Sequence, residues 1–379
     1  MDSPPRLRAS RFVAAIAGSL VLVLSAPFIG YVRAWIRLNF PGQFVRVVGA
    51  LIAVLGVTAI GLALARVRER RLVRYGAIAG ALACAAGYSA VTATGRPEVD
   101  VVERFHFIEY GLITFLFYRA WRPLEDASIV ILPVLAGLIV GTADEWLQWF
   151  IPNRVGELDD IFLNGIAIAC GLVFSLGADP PAAFHRTLPL PSRRRIGRFA
   201  ALFVVALGAF FHAVHLGHDI DDEEIGRFKS RYSKERLGAM AAEKIEEWST
   251  SPLPLVLRRV SREDQYMSEG VTHVQERNER AGSGDVRGAW KENRILEKYY
   301  APVLDTPSYV SGTGHRWSPQ QRSDLEARLA SAQTASGPYL SAANPYPIYA
   351  WRPALFWAVT LGLAVLIFLA STFGRRNGR

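Results

Sequence analysis

Nearly charge-free windows of about 20 residues, the length at which a helix crosses ~30 Å of hydrocarbon, recur along this chain and constrain its fold more than any other feature. They fall at roughly 13–32, 46–65, 75–94, 104–121, 127–146, 158–177, 199–216 and 353–373. In a bilayer every backbone amide needs a partner within the chain, so such windows have to be helices. The expected fold is therefore an all-α polytopic membrane protein with about eight transmembrane helices. Composition agrees, with 51% apolar residues. The fourth to sixth windows carry polar residues inside them. Arg6, Arg8 and Arg11 before the first window imitate a signal peptide. Further windows follow and no small-residue cleavage pattern does, so this segment reads as a retained first helix.

Charge gives the orientation. The formal net charge of +9 is unevenly spread: residues 217–349 hold 18 Lys and Arg against 20 Asp and Glu, and the remainder carries the basic excess. That excess sits in short loops beside the windows, which argues against a nucleic-acid surface. Alternate short connections hold 18 arginines on one side and six on the other. Cytoplasmic loops collect Lys and Arg, so both termini are expected inside a cell (inner) membrane and residues 217–350 outside it. Cys84 and Cys170 both fall within windows, which argues against a disulfide framework.

This divides the chain into N-terminal helices (1–74), a transmembrane core (75–177), a cytoplasmic loop and seventh span (178–216), an extracytoplasmic soluble domain (217–350), and a last span with a basic tail (351–379). Gly76 and Gly80 form a GxxxG, read as a face for close helix packing. The soluble domain opens on Asp221, Asp222, Glu223 and Glu224 and is mostly helical in composition. Leu296, Tyr299 and Tyr300 share one helical side. Pro252, Pro254 and Pro302 mark breaks, and 336–349 reads as an extended return to the membrane.

The stretch "GTADEWLQWFIPNRVGELDDIFLNG", residues 141–165, places many ionisable groups between two apolar windows. On a helix Asp144 and Glu145 both reach Gln148, at i,i+4 and i,i+3. Pro152 breaks that helix. Glu157, Asp159 and Asp160 then open the next one, where the dipole favours acids, and Asp160 lies four residues before Asn164. In "VVERFHFIEYG", Glu103, His106 and Tyr110 share a face, with Glu109 beside His106. All three groups are expected at the outer ends of their helices. Ionisable groups at membrane depth are costly unless paired or hydrated. Two readings stay open: a structural network in which Arg154 pairs with an acid, or a pocket open to the outer face.

These residues resemble the VanZ-like family of small polytopic membrane proteins. The resemblance runs over about 75–177, through His106, Phe107 and Tyr110 on one helix, then Asp144, Glu145, Gln148, Phe150, Pro152 and Arg154, then Glu157, Asp160 and Asn164. Ala167 stands where many members have Gly, and Val102 and Glu103 replace a common Asp-Lys. The resemblance implies a protein of the cell envelope, since the family's namesake is associated with resistance to the glycopeptide teicoplanin. It does not reach residues 217–350.

Elsewhere His212 and His215 could share a metal at i,i+3, although interfacial histidines are the commoner explanation, so no metal site is expected. His273, Glu276 and Arg277 align on one helical side and read as a solvated charged face. No nucleophile motif, phosphate cradle or dinucleotide fingerprint occurs, so no cofactor is expected. Two functions compete. In the first the outer-face polar groups bind a lipid-linked envelope precursor, a peptidoglycan-type ligand or a glycopeptide, with the lipid bilayer as the other partner. In the second a membrane enzyme uses His106 with Asp144, Glu145 or Asp160 as acid/base or metal ligands.

Overall fold

The computed structural model describes residues 7–151, 156–250, 265–308, 310–331 and 338–373. Arg154 and Pro152, with Pro252 and Pro254, lie outside the described residues. In chain order the first helices are α1 (Ala9–Asn39), α2 (Phe44–Arg66), α3 (Arg71–Val91), α4 (Pro97–Trp121), α5 (Ser128–Gln148), α6 (Leu158–Ala178) and α7 (Leu190–His215). Two strands follow, β1 (His218–Asp222) and β2 (Gly226–Ser230). Then come α8 (Lys234–Thr250), α9 (Gln265–Ser283), α10 (Val286–Tyr299), α11 (Ala301–Asp305), α12 (Pro319–Ser331) and α13 (Pro353–Thr372). Among the described residues the architecture is all-α apart from one two-stranded hairpin. The chain forms two compact units, one of residues 1–148, 156–210 and 357–379, the other of 149–155 and 211–356.

Among the described residues six helices are long and apolar enough to cross a membrane: α1, α2, α5, α6, α7 and α13. Helices α3 and α4 have the length, 21 and 25 residues, but not the same apolarity. Alanines and glycines dilute α3, and α4 carries Glu98, Asp100, Glu103, Arg104 and Glu109 in its first half. Pro97 occupies the first turn of α4, where no amide bond is lost. Asp100 accepts from the Thr94 amide and hydroxyl at 2.9 and 2.8 Å, fixing that helix start. Helix α4 is the hub, packed against α1, α2, α5 and α6. It meets α6 closely because Gly111 faces Gly171, where an added Cβ would stand 2.7 Å from the Gly111 Cα. Large apolar side chains on α1 and α2, such as Val21, Phe28 and Val57, stay exposed. A continuous apolar surface of that kind belongs against lipid. The GxxxG of α3 does not pack as expected: Gly76 and Gly80 have no atom within 4 Å of an added Cβ, because α3 meets α6 through Ala77 and Ile78 instead.

The second unit has its own apolar core, built from Ile220, Phe228, Leu237, Val271, Ile295, Leu296, Tyr300 and Val303 among others. The hairpin pairs His218 with Ser230 and Asp222 with Gly226. Its turn needs Gly226, whose φ is +115°. Asp222, from the acidic run, is not solvated: Lys298 Nζ and the Tyr299 hydroxyl donate to it at 2.7 and 2.6 Å. The return segment is extended, as expected, bridging at Leu340 to Arg227 and at Tyr349 to Leu216.

The expected solvated face of α9 is overturned. His273 and Arg277 are buried at 1% and 3% exposure, in line with buried Glu269 one turn earlier. Glu269 accepts from the Ser230 hydroxyl (2.6 Å), the Arg231 amide (2.9 Å) and the Tyr300 hydroxyl (2.7 Å). His273 Nδ1 lies 2.7 Å from a Glu292 carboxylate oxygen. The Ser341 hydroxyl (2.5 Å) and the Tyr339 hydroxyl donate to the other Glu292 oxygen. Arg277 donates to Asn293 and to the His315 carbonyl at 2.9 and 2.7 Å and stacks on Trp317, and burial pulls its guanidinium down to about 10. The face is polar because its side chains bond to partners within the unit: His273 and Arg277 to Glu292 and Asn293 of α10, and Glu269 to the end of the hairpin and Tyr300.

Candidate functional site

Apart from Phe150, Pro152, Arg154 and Glu157, the residues singled out in 103–164 sit on three helices of the first unit: the start of α4, the end of α5 and the start of α6. Helical periodicity brings Asp144 and Glu145 over Gln148, as the spacing requires. Gln148 Nε2 donates to Asp144 Oδ2 at 2.9 Å and to Glu145 Oε1 at 3.0 Å. Tyr110, from the facing helix α4, donates its hydroxyl to the same Asp144 oxygen at 3.0 Å. The result is a chain of four groups, Tyr110, Asp144, Gln148 and Glu145, none more than 6% exposed.

Position on the helix makes this arrangement costly. Acids favour the first turn of a helix and are disfavoured in the last, where the dipole is negative. Glu157, Asp159 and Asp160 obey that preference at the start of α6, while Asp144 and Glu145 lie in the final turns of α5. Helix stability does not explain the α5 pair, so its partners must.

Asn164 is fully buried on α6, and neither its side-chain oxygen nor its nitrogen has a hydrogen-bond partner among the described residues. It packs against Gly141, where an added Cβ would stand 3.3 Å from Asn164 Nδ2 and from Tyr110 Cε1. The Thr142 hydroxyl, on the next residue of α5, is also buried and unpartnered among them. His106 reaches the cluster through Tyr110. The two rings are parallel within 7° with centroids 6.1 Å apart, and His106 Nδ1 is 3.2 Å from the Glu103 carbonyl. Glu109, Glu157 and Asp160 are half-buried, on α4, immediately before α6 and in its first turn. Tyr110, Asp144, Glu145, Gln148 and Asn164 thus come together, with His106 stacked at one edge.

Residues 77–178 match the VanZ/LLP1 family. That segment of the chain holds α4, α5 and α6 entire, with most of α3, and so every group in the cluster. The match agrees with the resemblance read over 75–177. No curated protein and no solved structure matches the chain.

Two glycines escape a reading of the sequence. Gly141 lets α5 and α6 close on Asn164. At Gly156 an added Cβ would fall 2.2 Å from the Glu145 carbonyl oxygen. The signal for both is Gly beside an acid-rich VanZ-like motif; at Gly141 the space is taken by the Asn164 and Tyr110 side chains, and at Gly156 by the Glu145 backbone. Of the α7 histidines, His215 Nδ1 is 2.8 Å from the Pro347 carbonyl, and the His212 ring lies 6.4 Å from the Phe356 ring. Among the described residues no group of three or more His, Cys, Asp and Glu is placed to hold a metal ion.

Proposed function

We propose that this VanZ-like membrane protein of the cell envelope works by binding, and that its ligand is a lipid-linked precursor, a peptidoglycan-type molecule or a glycopeptide held at the buried polar cluster. The observation that carries the reading is Asn164, fully buried with both halves of its amide unpartnered among the described residues. Leaving such a group buried and unsatisfied costs about 1–3 kcal/mol. A peptide unit offers one donor and one acceptor, the complement of that amide. A glycopeptide, a peptidoglycan-type molecule and a lipid-linked muropeptide all carry peptide units, and the acids of α5 lie beside that amide. The reading also takes α3 and α4 as membrane helices, giving eight spans, both termini in the cytoplasm and the cluster toward the outer face. The 18-to-6 arginine bias of the short loops supports that orientation.

The enzyme reading requires His106 and the acids to converge on one open space. His106 lies against the flat of the Tyr110 ring, and Asp144 and Glu145 share the one Gln148 amide. That arrangement favours holding over turnover.

The test uses the full chain in nanodiscs, titrated with a fluorescent glycopeptide and with a lipid-linked muropeptide. At least one should bind, and Asp144→Asn should weaken it tenfold or more at unchanged membrane level. No binding of either probe sinks the proposal. A probe whose mass changes on incubation, and stops changing in His106→Ala, establishes the enzyme instead.

A further inference from the structure

The close approach of α4 and α6 has a second consequence, away from the polar cluster. Gly111 and Gly171 leave no side chain at the crossing, so the surface sinks there. Helices α2 and α3 stand on either side of this floor, and a cleft of about 370 Å³ results. That volume falls among ligand sites, which run from about 300 to 1,000 Å³. The walls include Leu55, Ala59, Ala85, Leu112, Phe115 and Phe174, all hydrocarbon. Among the described residues one charged side chain lines the cleft, that of Arg66, the last residue of α2.

We infer that this cleft is a lipid site, taking one acyl chain of an anionic phospholipid with the phosphate at Arg66. The α2, α4 and α6 walls lie at membrane depth, where the available occupant is a hydrocarbon chain and any polar one is costly. The charge at the end selects the headgroup. Arg66 begins the run Arg66, Arg68, Arg70 and Arg71, the kind of basic edge that collects anionic headgroups. Arg74 is engaged elsewhere, since its guanidinium donates to the Gly177 and Ala178 carbonyls, both at 2.8 Å. That bond ties α3 to the end of α6 and holds the far wall in place, while Arg66 stays exposed. The lipid would bridge α2, which meets the rest of the bundle mainly through α4, to α3 across the gap.

The test is native mass spectrometry of the full-length protein released from nanodiscs of equal phosphatidylglycerol and phosphatidylcholine. The wild type should retain one phosphatidylglycerol in preference to phosphatidylcholine. Arg66→Gln should cut that preference about fivefold, the effect of one basic residue at an anionic headgroup. Ala85→Phe fills the cleft and should remove the retained lipid of either kind. Leu112→Trp, at a position 56% exposed, should do the same without burdening the fold. Equal retention of the two lipids by the wild type overturns the headgroup assignment. An unchanged lipid count in Leu112→Trp overturns the site itself.

Discussion

Both units bury carboxylates, and they bury them differently. In the second unit Glu269 takes three hydrogen bonds, from the end of the hairpin and from Tyr300 after α10, and Glu292 takes three, from α9 and from the return segment. That network closes on itself: its acceptors are matched by donors from four separate parts of the chain. In the first unit Asp144 accepts from Tyr110 and from Gln148, which also donates to Glu145, while Asn164 and Thr142 beside them keep polar atoms unmatched among the described residues. A saturated network contributes to folding and has nothing left for a ligand. An unsaturated one has a stability cost and keeps binding capacity in reserve. Burial alone does not separate the two, since both clusters are almost wholly enclosed.

The largest expected effect breaks the closed network. Glu292→Ala would strand His273, Tyr339 and Ser341 together, and removing one partner from a buried charged network costs about 3–5 kcal/mol. Thermal unfolding of the full chain should show the second unit melting well below wild type. A shift of only a degree or two would mean that the network closes around water, and the contrast with the first unit would fail.

The pH dependence of the second unit comes next, at up to about 1.4 kcal/mol per pH unit for each carboxylate. Burial raises Asp222, but the hydrogen bonds from Lys298, Tyr299 and the Ile225 amide outweigh it and hold the acid well below its ordinary range. Glu292 is likewise lowered, with burial opposed by His273, Ser341 and Tyr339. For both, the folded state binds fewer protons than the unfolded chain. Their stabilisation is present at neutral pH and is lost as the pH falls through about 4 and below. Glu269 runs the other way: burial raises it further than its three donors and His273 lower it. Its contribution is greatest below the ordinary Glu range and fades as pH rises through the raised value. Melting temperature against pH should therefore fall on both limbs. Asp222→Asn should flatten the fall at low pH and Glu269→Gln the fall above the ordinary Glu range. A curve unchanged by both would remove these carboxylates as the titrating groups.

A smaller effect is expected for Tyr110→Phe in the first unit. Hydrogen bonds between membrane helices contribute about 0.6 kcal/mol on average. Removing the bond to Asp144 should lower stability by about that much and couple measurably with Gln148→Leu, since both donate to the same oxygen. Strict additivity of the two would show that the shared oxygen does not join them.

The two units also differ in how much of them the sequence discloses. Charge-free windows locate α1, α2, α5, α6, α7 and α13 because lipid permits one kind of secondary structure. The contacts of Gln148 with both acids follow from helical spacing alone. In the second unit the hairpin is hidden: Ile220 and Phe228 alternate correctly, but the acids around them look like a solvated loop. The α9 face misleads for the same reason. Glu269, His273 and Arg277 repeat every four residues, a visible stripe, yet hydrophobic periodicity assigns polar stripes to water. Only the partners on α10 and in the return segment reveal that the stripe is core, and these are distant in sequence.

The smallest expected change in stability is the most informative. Asn164→Leu keeps the side-chain volume close to native while removing a donor and an acceptor that have no partner among the described residues. If those atoms serve nothing within the fold, their removal relieves a penalty of about 1–3 kcal/mol, less whatever the leucine loses in shape against Gly141 and Tyr110. The melting temperature should therefore stay level or rise slightly, and Thr142→Val should behave alike. Binding of the envelope ligand should fall at the same time, because its peptide unit loses its counterpart. Stability retained with binding lost identifies Asn164 as a group held ready for a ligand. A marked drop in melting temperature would place Asn164 with Glu292 among the residues that hold the fold. Both buried clusters would then be structural, and the site for an envelope ligand would have to be sought elsewhere on the chain.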